Sequence, residues 1–223
     1  MGRCKFKHII WDWNGTLLND AWMCVEIMNG MLLKRGMPGL THERYQEVFD
    51  FPVIDYYRRL GFDFEKEPFE ISGTEFIVEY EKCRYEPQLQ PEAVLVLNEL
   101  NSMGISHSIL SAYKQETLDD LLEHHGIYSQ FKHVIGLNNH YAFGKTEQGK
   151  RLMEKLDCKP ETVLFIGDTV HDFEVADSLG TACVLIPGGN HTEKKLSSCG
   201  VPVLKSIKEI IPFVNEKLEK SKL

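Results

Sequence analysis

The chain has 223 residues, 43% hydrophobic and 26% charged, a composition that excludes disordered, collagen-like and fibrous classes. At about 100 to 200 residues per domain it forms one large domain, or one domain carrying a smaller insertion. Its 25 Lys and Arg stand against 33 Asp and Glu, a formal charge of −8, which opposes adhesion to nucleic acid or to an anionic membrane and favours a small-molecule or protein partner.

At the N-terminus, Met1 to Lys7 runs straight into Ile9-Ile10-Trp11. That apolar run is too short for a signal peptide or a membrane span. Phe6 stands where a myristoylation pattern wants Ser or Thr. The six cysteines form no C-x-x-C pair, so reduced thiols in a cytoplasmic protein are expected. The first predicted strand is Lys7 to Trp11. Residues 20 to about 86 read as helical and end in the polar stretch Glu86 to Pro91; their many aromatics, Tyr45, Phe49, Tyr56, Tyr57 and Phe76 among them, are expected to fill a small core of their own.

From residue 88 onward, short β-rich runs alternate with amphipathic helical patterns that several glycines terminate. Val94, Leu97, Leu100 and Met103 mark a helix before Gly104, and Ile105 to Leu110 reads as a strand with Ser111 at its end. Leu118, Leu121 and Leu122 mark the next helix, stopped at Gly126, and Val134 to Leu137 the next strand. Leu152, Met153 and Leu156 give a helix, Val163 to Ile166 an apolar strand, Phe173, Ala176 and Leu179 a helix closed by Gly180, and Cys183 to Ile186 a last strand. Ser206 to Lys222 reads as a final surface helix. The rhythm is that of an α/β domain with a parallel, Rossmann-like sheet sandwiched by helices.

Four polar clusters follow apolar strands or lie in the loops after them: Asp12-Trp13-Asn14-Gly15-Thr16, Ser111, Lys145, and Gly167-Asp168-Thr169-Val170-His171-Asp172. In an open parallel sheet the carboxyl ends of the strands line the ligand crevice. The residue types complement one another: carboxylates for a hard cation such as magnesium, a hydroxyl and a lysine for phosphate oxygens, and a carboxylate able to act as nucleophile. That set describes phosphoryl transfer.

The order and spacing of these clusters resemble the haloacid dehalogenase-like hydrolases, and more closely their phosphoglycolate phosphatase-like branch. The first motif of that family, D-x-D-x-T, is matched by Asp12 and Thr16 with Asn14 in place of the second Asp; Ser111 matches the second, Lys145 the third, and Gly167, Asp168 and Asp172 the fourth, G-D-x-x-x-D. The resemblance implies a core of residues 1–19 and 87–223 and an inserted α-helical cap of residues 20–86. It implies Asp12 as nucleophile, and Mg2+ held by Asp12, Asp168, Asp172 and the main-chain carbonyl of Asn14. Thr16, Ser111, the Ala112 amide and Lys145 would hold the phosphoryl group of a small phosphorylated metabolite, with Lys145 preferred to Lys150. In the cap, Arg58 and Arg59 are candidates to meet a second anionic group of the substrate. A monomer or a homodimer is expected.

Asn14 departs from the family at the position of its general acid and base. An amide can neither protonate a leaving alcohol nor activate water, and such catalysis is typically worth about 10²- to 10⁴-fold. Three readings stay open: a hydrolase that prefers leaving groups needing little protonation; a phosphonoacetaldehyde hydrolase-like cleavage with a cap lysine (Lys34, Lys66 or Lys82) as Schiff base; and a non-enzymatic protein that binds a phosphorylated ligand or a partner.

Overall fold

The computed structural model describes residues 3–137, 144–216 and 218–219. In chain order, β1 (Arg3–Cys4) precedes β2 (His8–Trp11), β3 (Leu18–Asn19) and four helices: α1 (Ala21–Lys34), α2 (His42–Val48), α3 (Val53–Leu60) and α4 (Phe69–Cys83). Then follow β4 (Gln88–Leu89), α5 (Ala93–Ser102), β5 (Ser106–Lys114), α6 (Gln115–His124), β6 (His133–Leu137), α7 (Lys145–Lys155), β7 (Val163–Gly167), α8 (Val170–Leu179) and β8 (Ala182–Leu185). The chain closes with α9 (Glu193–Ser197), α10 (Ile210–Glu216) and β9 (Leu218–Glu219).

Five of the strands form one parallel sheet in the order β6-β5-β2-β7-β8. β2 is central, and its neighbours β5 and β7 belong to crossovers that leave in opposite directions. Such a switch point opens a crevice beyond the carboxyl ends of the strands. β2 and β7 are buried throughout, which explains why residues 9–11 and 163–166 read as apolar runs. β5 extends four residues past the expected Leu110, to Lys114, because it outruns β2 and shifts register against β6 between Leu110 and Lys114. Two hydrophobic clusters cover the faces of the sheet, one centred on Ile9, Trp11, Ile109 and Ile166, the other on Ile10, Leu110, Phe165 and Val175.

The four helices α1–α4 interrupt the first crossover. The chain leaves through β3 and returns through β4, which pair antiparallel as a two-stranded ribbon. A third buried cluster lies wholly within this segment: Met23, Met28, Met31 and Leu32 against Tyr45, Tyr56, Tyr57, Phe62 and Tyr80. Its rings meet edge to face, as in the pairs Tyr45–Tyr56 and Tyr57–Phe69, the arrangement aromatic quadrupoles favour. Tyr113, near the end of β5, packs against both this cluster and that of the core. The C-terminal helix is shorter than expected and less superficial: a 3₁₀ turn, Ile207–Glu209, leads into α10, which buries Ile210, Ile211 and Val214. Residues 217 and 220–222 of that expected helix lie outside the described residues. No helix among the described residues is long and apolar enough to cross a membrane.

Two histidines in the sheet carry a consequence for acid stability. His8 bridges the hydroxyls of Ser106 (2.6 Å) and Ser108 (2.9 Å), and His107 accepts from Trp11 Nε1 at 3.1 Å. Burial pushes His8 down to about 3 and His107 down to about 4, against about 6.5 in an unfolded chain. Above pH 6.5 neither state binds the proton. Below it only the unfolded state does, so stability falls with falling pH until the folded pKa is reached. At pH 5 each histidine costs about 2 kcal/mol. Because carboxyl groups add their own pH dependence, the check compares variants: between pH 7.5 and pH 5, His8→Gln should lose about 2 kcal/mol less in urea unfolding than wild type. Equal losses would contradict the assignment.

Candidate active site

Three buried carboxylates converge beyond the strand ends. Asp12 follows β2, while Asp168 follows β7 and Asp172 lies in the first turn of α8; all three are under a tenth exposed. One ligand oxygen from each falls within 4.8 Å of the others. Lys145, the first residue of α7, reaches between them from a helix start whose preceding Gly144 has φ +110°. Its Nζ donates to Asp12 Oδ1 at 2.5 Å and to Asp172 Oδ1 at 2.6 Å. Lys150, in contrast, is exposed and pairs with Glu147.

Asp172 has a double role. Its Oδ2 accepts from the Thr169 amide (3.0 Å) and hydroxyl (2.6 Å) and from the Asp168 amide (3.2 Å), closing a capping box at the start of α8, while Oδ1 faces Lys145. Thr16 Oγ1 donates to Asp12 Oδ2 and Asp168 Oδ1, each at 3.2 Å. Backbone approach is close here: Gly15 has φ +77°, and a Cβ at Gly15 would overlap the Asp168 carboxylate, as one at Gly167 would overlap that of Asp172. Both positions therefore require glycine.

The electrostatics follow from three anions sharing one cation. Burial pushes Asp12 up to about 7 against the pull of Lys145. Burial, reinforced by Asp12 and Asp172, raises Asp168 well above the usual carboxylate range. Burial also acts upward on Asp172, but the ammonium of Lys145 and the Thr169 hydroxyl hold it below that range. For Lys145, burial favours the neutral amine, and the two flanking carboxylates overcome it and keep the ammonium charged. A divalent cation fits this set: the donors are hard oxygens, and two positive charges balance the two carboxylates that Lys145 leaves unmatched.

Asn14 is turned away from this triad. Its amide donates to Asp20 Oδ2 at 2.7 Å and to Tyr80 Oη at 2.9 Å, and Asp20 also accepts from Tyr80 Oη (2.7 Å) and from the Gly15 amide (2.8 Å). Asp20 stands at the N-cap of α1 yet makes no capping bond there, because both its oxygens are committed to the Asn14–Gly15 loop. The Asn14 carbonyl accepts from Asn190 Nδ2 at 3.4 Å, Asn190 also donates its amide to Asp168 Oδ2 at 2.5 Å, and its Oδ1 accepts from Tyr45 Oη at 2.6 Å. His191 completes the loop after β8, accepting from the Val170 amide and donating to the Phe49 carbonyl, both at 3.0 Å. Asp20, Asn190 and His191 are not among the residues expected from sequence, and Tyr45 and Tyr80 are expected there only as core aromatics of residues 20–86. None follows a strand within a motif, and each joins segments far apart in the chain.

Ser111 and Ala112 line the same cavity, of about 240 Å³, as Asp12, Lys145 and Asp168. Ser111 Oγ accepts from the Tyr113 amide at 3.1 Å, which leaves its hydroxyl proton for a ligand. The cavity runs on between Phe49, Phe51, Ile54, Tyr56, Phe76 and Ile77. Arg58 and Arg59 are not brought to it. Arg58 pairs with Asp55 at 2.6 Å and lies over the Phe64 ring, and Arg59 donates to the Val48 carbonyl at 3.0 Å and to Asp50 at 3.3 Å. Near the ends of their helices, both are more satisfied by local acceptors than by the apolar cavity. Lys34, Lys66 and Lys82 are likewise exposed, paired with Glu75, Asp63 and Glu79, and absent from the cavity wall, so the geometry does not favour a Schiff base there.

Comparisons with known proteins give the family and the fold. A model of the haloacid dehalogenase-like hydrolases matches residues 9–186. The chain is similar to a phosphoglycolate phosphatase of Vibrio parahaemolyticus, with 29% identity covering 96% of this chain and 98% of the relative. It is also similar to an N-acetylmuramic acid 6-phosphate phosphatase of Pseudomonas aeruginosa, with 22% identity and 92% of each chain covered. In fold it is similar to a haloacid dehalogenase-like hydrolase of Streptococcus pneumoniae, with a TM-score of 0.80, 19% identity, and coverage of 94% of this chain and 98% of that one.

Proposed function

The chain belongs to the haloacid dehalogenase-like hydrolases, and from that premise we propose that it is a magnesium-dependent phosphatase acting on a small phosphorylated metabolite through an aspartyl-phosphate at Asp12. The observation that carries this reading is the buried set of three carboxylates, two of them paired with Lys145, in the wall of a cavity. Asp12 supplies the attacking oxygen, held in place by Lys145 and Thr16. Lys145 and the Ser111 hydroxyl stabilise the charge that builds on the phosphoryl oxygens in the transition state. Asp12, Asp168 and the Asn14 carbonyl hold the magnesium ion, with Asp172 orienting from outside because its Oδ2 is committed to the start of α8. When bound, magnesium supplies Lewis-acid charge stabilisation. Residues 20–86 act as a cap that closes over the core and excludes water, tied down by Tyr45 to Asn190 and by His191 to the Phe49 carbonyl.

The test is phosphate release from a panel of phosphate monoesters, with magnesium and with a chelator. Release that requires the metal is expected; release indifferent to chelation would reject the metal assignment, and none from any ester would reject the phosphatase. Asn14 brings a second expectation. A carboxylate placed there by Asn14→Asp meets Asp20 at hydrogen-bond distance, a like-charge contact that limits the gain. The exchange Asn14→Asp with Asp20→Asn keeps one amide facing one acid. It should raise turnover of alkyl phosphates about 10- to 10²-fold, part of the range for acid-base catalysis, and exceed the single variant. A single variant equal to the exchange would show that Asp20 does not constrain position 14.

A further inference from the structure

On the reading that this site is a phosphatase, we propose that its substrate is an aryl phosphate monoester, a phosphoryl group on a phenolic oxygen whose ring occupies the apolar part of the cavity. Three observations converge on it. The first is the wall: beyond the polar end the cavity is bounded by Phe49, Phe51, Ile54, Phe76 and Ile77, a surface that gains by covering a flat apolar group. Its volume, about 240 Å³, exceeds the roughly 150 Å³ that accommodates benzene, which leaves room for one ring beside a phosphoryl group.

The second observation is what the wall does not offer. Among the described residues its basic side chains are Lys114, Lys145 and His171; Lys145 is held by two aspartates, Lys114 pairs with Glu116 at 2.7 Å and His171 meets Glu174 at 3.2 Å. Arg58 and Arg59 turn to Asp55 and Asp50, and Arg84 to Glu81 and Asp120. Meanwhile Asp20 adds an acidic group to the lining. A substrate carrying a carboxylate beyond its phosphate finds no free cation among the described side chains of the wall. A sugar fares little better, because the hydroxyls of Tyr45, Tyr80 and Tyr113 are engaged by Asn190, Asp20 and Glu81, and unpaired buried hydroxyls are costly. Tyr56, whose hydroxyl has no partner among the described residues, is the exception.

The third observation is Asn14. Its amide is a donor to Asp20 and Tyr80 and has no proton to give to a leaving oxygen. A phenol, with pKa about 10, leaves as its anion far more readily than an alkoxide, whose parent hydroxyl resembles water at about 15.7. In the first step an Asp12 oxygen bonds to phosphorus, the bond from phosphorus to the phenolic oxygen breaks, and its electron pair leaves with phenolate. In the second, water adds to phosphorus and the bond to Asp12 breaks, which restores the carboxylate and releases dihydrogen phosphate; one of its protons passes through solvent to the phenolate. Neither step asks Asn14 for a proton.

The test separates ring recognition from turnover. Calorimetry on the magnesium-loaded protein with methylphosphonate, benzylphosphonate and phosphonoacetate compares one head group without any difference in reactivity. Benzylphosphonate should bind at least about 10-fold tighter than methylphosphonate, and phosphonoacetate no tighter than methylphosphonate. Ile77→Lys, at a partly exposed position of α4, should bring phosphonoacetate ahead of benzylphosphonate. The kcat/KM of phenyl phosphate, which reports transfer to Asp12, should exceed that of benzyl phosphate by more than about 10²-fold. Wild type that binds phosphonoacetate as well as or better than benzylphosphonate overturns the aryl assignment and leaves the phosphatase reading intact if any ester is hydrolysed. Ring preference without phosphate release from any ester overturns the phosphatase reading instead.

Discussion

Replacing Asp12 by Asn is expected to reduce phosphate release by at least about 10⁴-fold, since loss of a nucleophile that acts as one unit with its neighbours costs on that order or more. The amide is nearly isosteric and still reaches Lys145 and Thr16, which lie 2.5 and 3.2 Å from the carboxylate oxygens. What it lacks is the charge and the oxygen nucleophilicity to open a phosphate ester. The fold should survive, because burial already pushes the Asp12 carboxyl up to about 7, so a neutral group there relieves crowding among three carboxylates. Urea unfolding without metal should therefore find Asp12→Asn at least as stable as wild type, which separates lost chemistry from lost structure. A variant retaining a tenth of wild-type release would remove Asp12 from the mechanism.

Lys145→Met should injure both stability and activity. Lys145 is buried, and its two ion pairs, at 2.5 and 2.6 Å, are the charge compensation for Asp12 and Asp172 among the described side chains. Removing one partner of a buried ionic cluster typically costs about 3 to 5 kcal/mol, because the remaining charges stay buried and unpaired. In a chelating buffer that loss should appear in full as a lower urea midpoint. Magnesium should recover part of it, since a cation bound to the folded state alone stabilises it. Phosphate release should fall by about 10³-fold or more even with the metal restored, because the fixed charge facing the transferring group is gone. Unchanged stability in chelator would mean that the carboxylates take up protons without cost.

The carboxylate end of the candidate site was legible because Asp12, Ser111 and Asp168 lie at or just past the carboxyl ends of strands or apolar runs. Apolar runs locate β2, β5 and β7, parallel pairing brings their carboxyl ends to one edge, and Asp12, Ser111 and Asp168 then meet whatever the helices do. Lys145 was legible for a similar reason, as the first residue of a helix after Gly144. The hydrogen-bond partners of these residues were not. Asp20 looks like an ordinary N-cap, and only the return of α4 brings Tyr80 to it, 60 residues on. Asn190 follows two glycines in a loop, a context that spells a turn, and its contact with Tyr45 spans 145 residues.

Arg58 and Arg59 show the converse. Adjacent arginines in a helix invite an anion, but side-chain direction depends on the acceptors nearby, and Asp55 and Asp50 take up the two guanidinium groups. The substitution at position 14 was plain in the sequence as a missing acid. Its structural role was hidden, because an amide at that position is read as a loss until Asp20 is seen to accept its protons.

The central claim is covalent transfer to Asp12, and rapid acid quench of the enzyme turning over phenyl phosphate, followed by mass spectrometry of the peptide that contains Asp12, tests it most directly. Because Asn14 cannot activate water for the second step, the phosphorylated enzyme should accumulate. One phosphoryl group on Asp12 is predicted, with a burst of phenol equal to the enzyme present, both absent from Asp12→Asn. Steady hydrolysis with no phosphoryl group on Asp12 at any quench time, and with no burst, would contradict the mechanism.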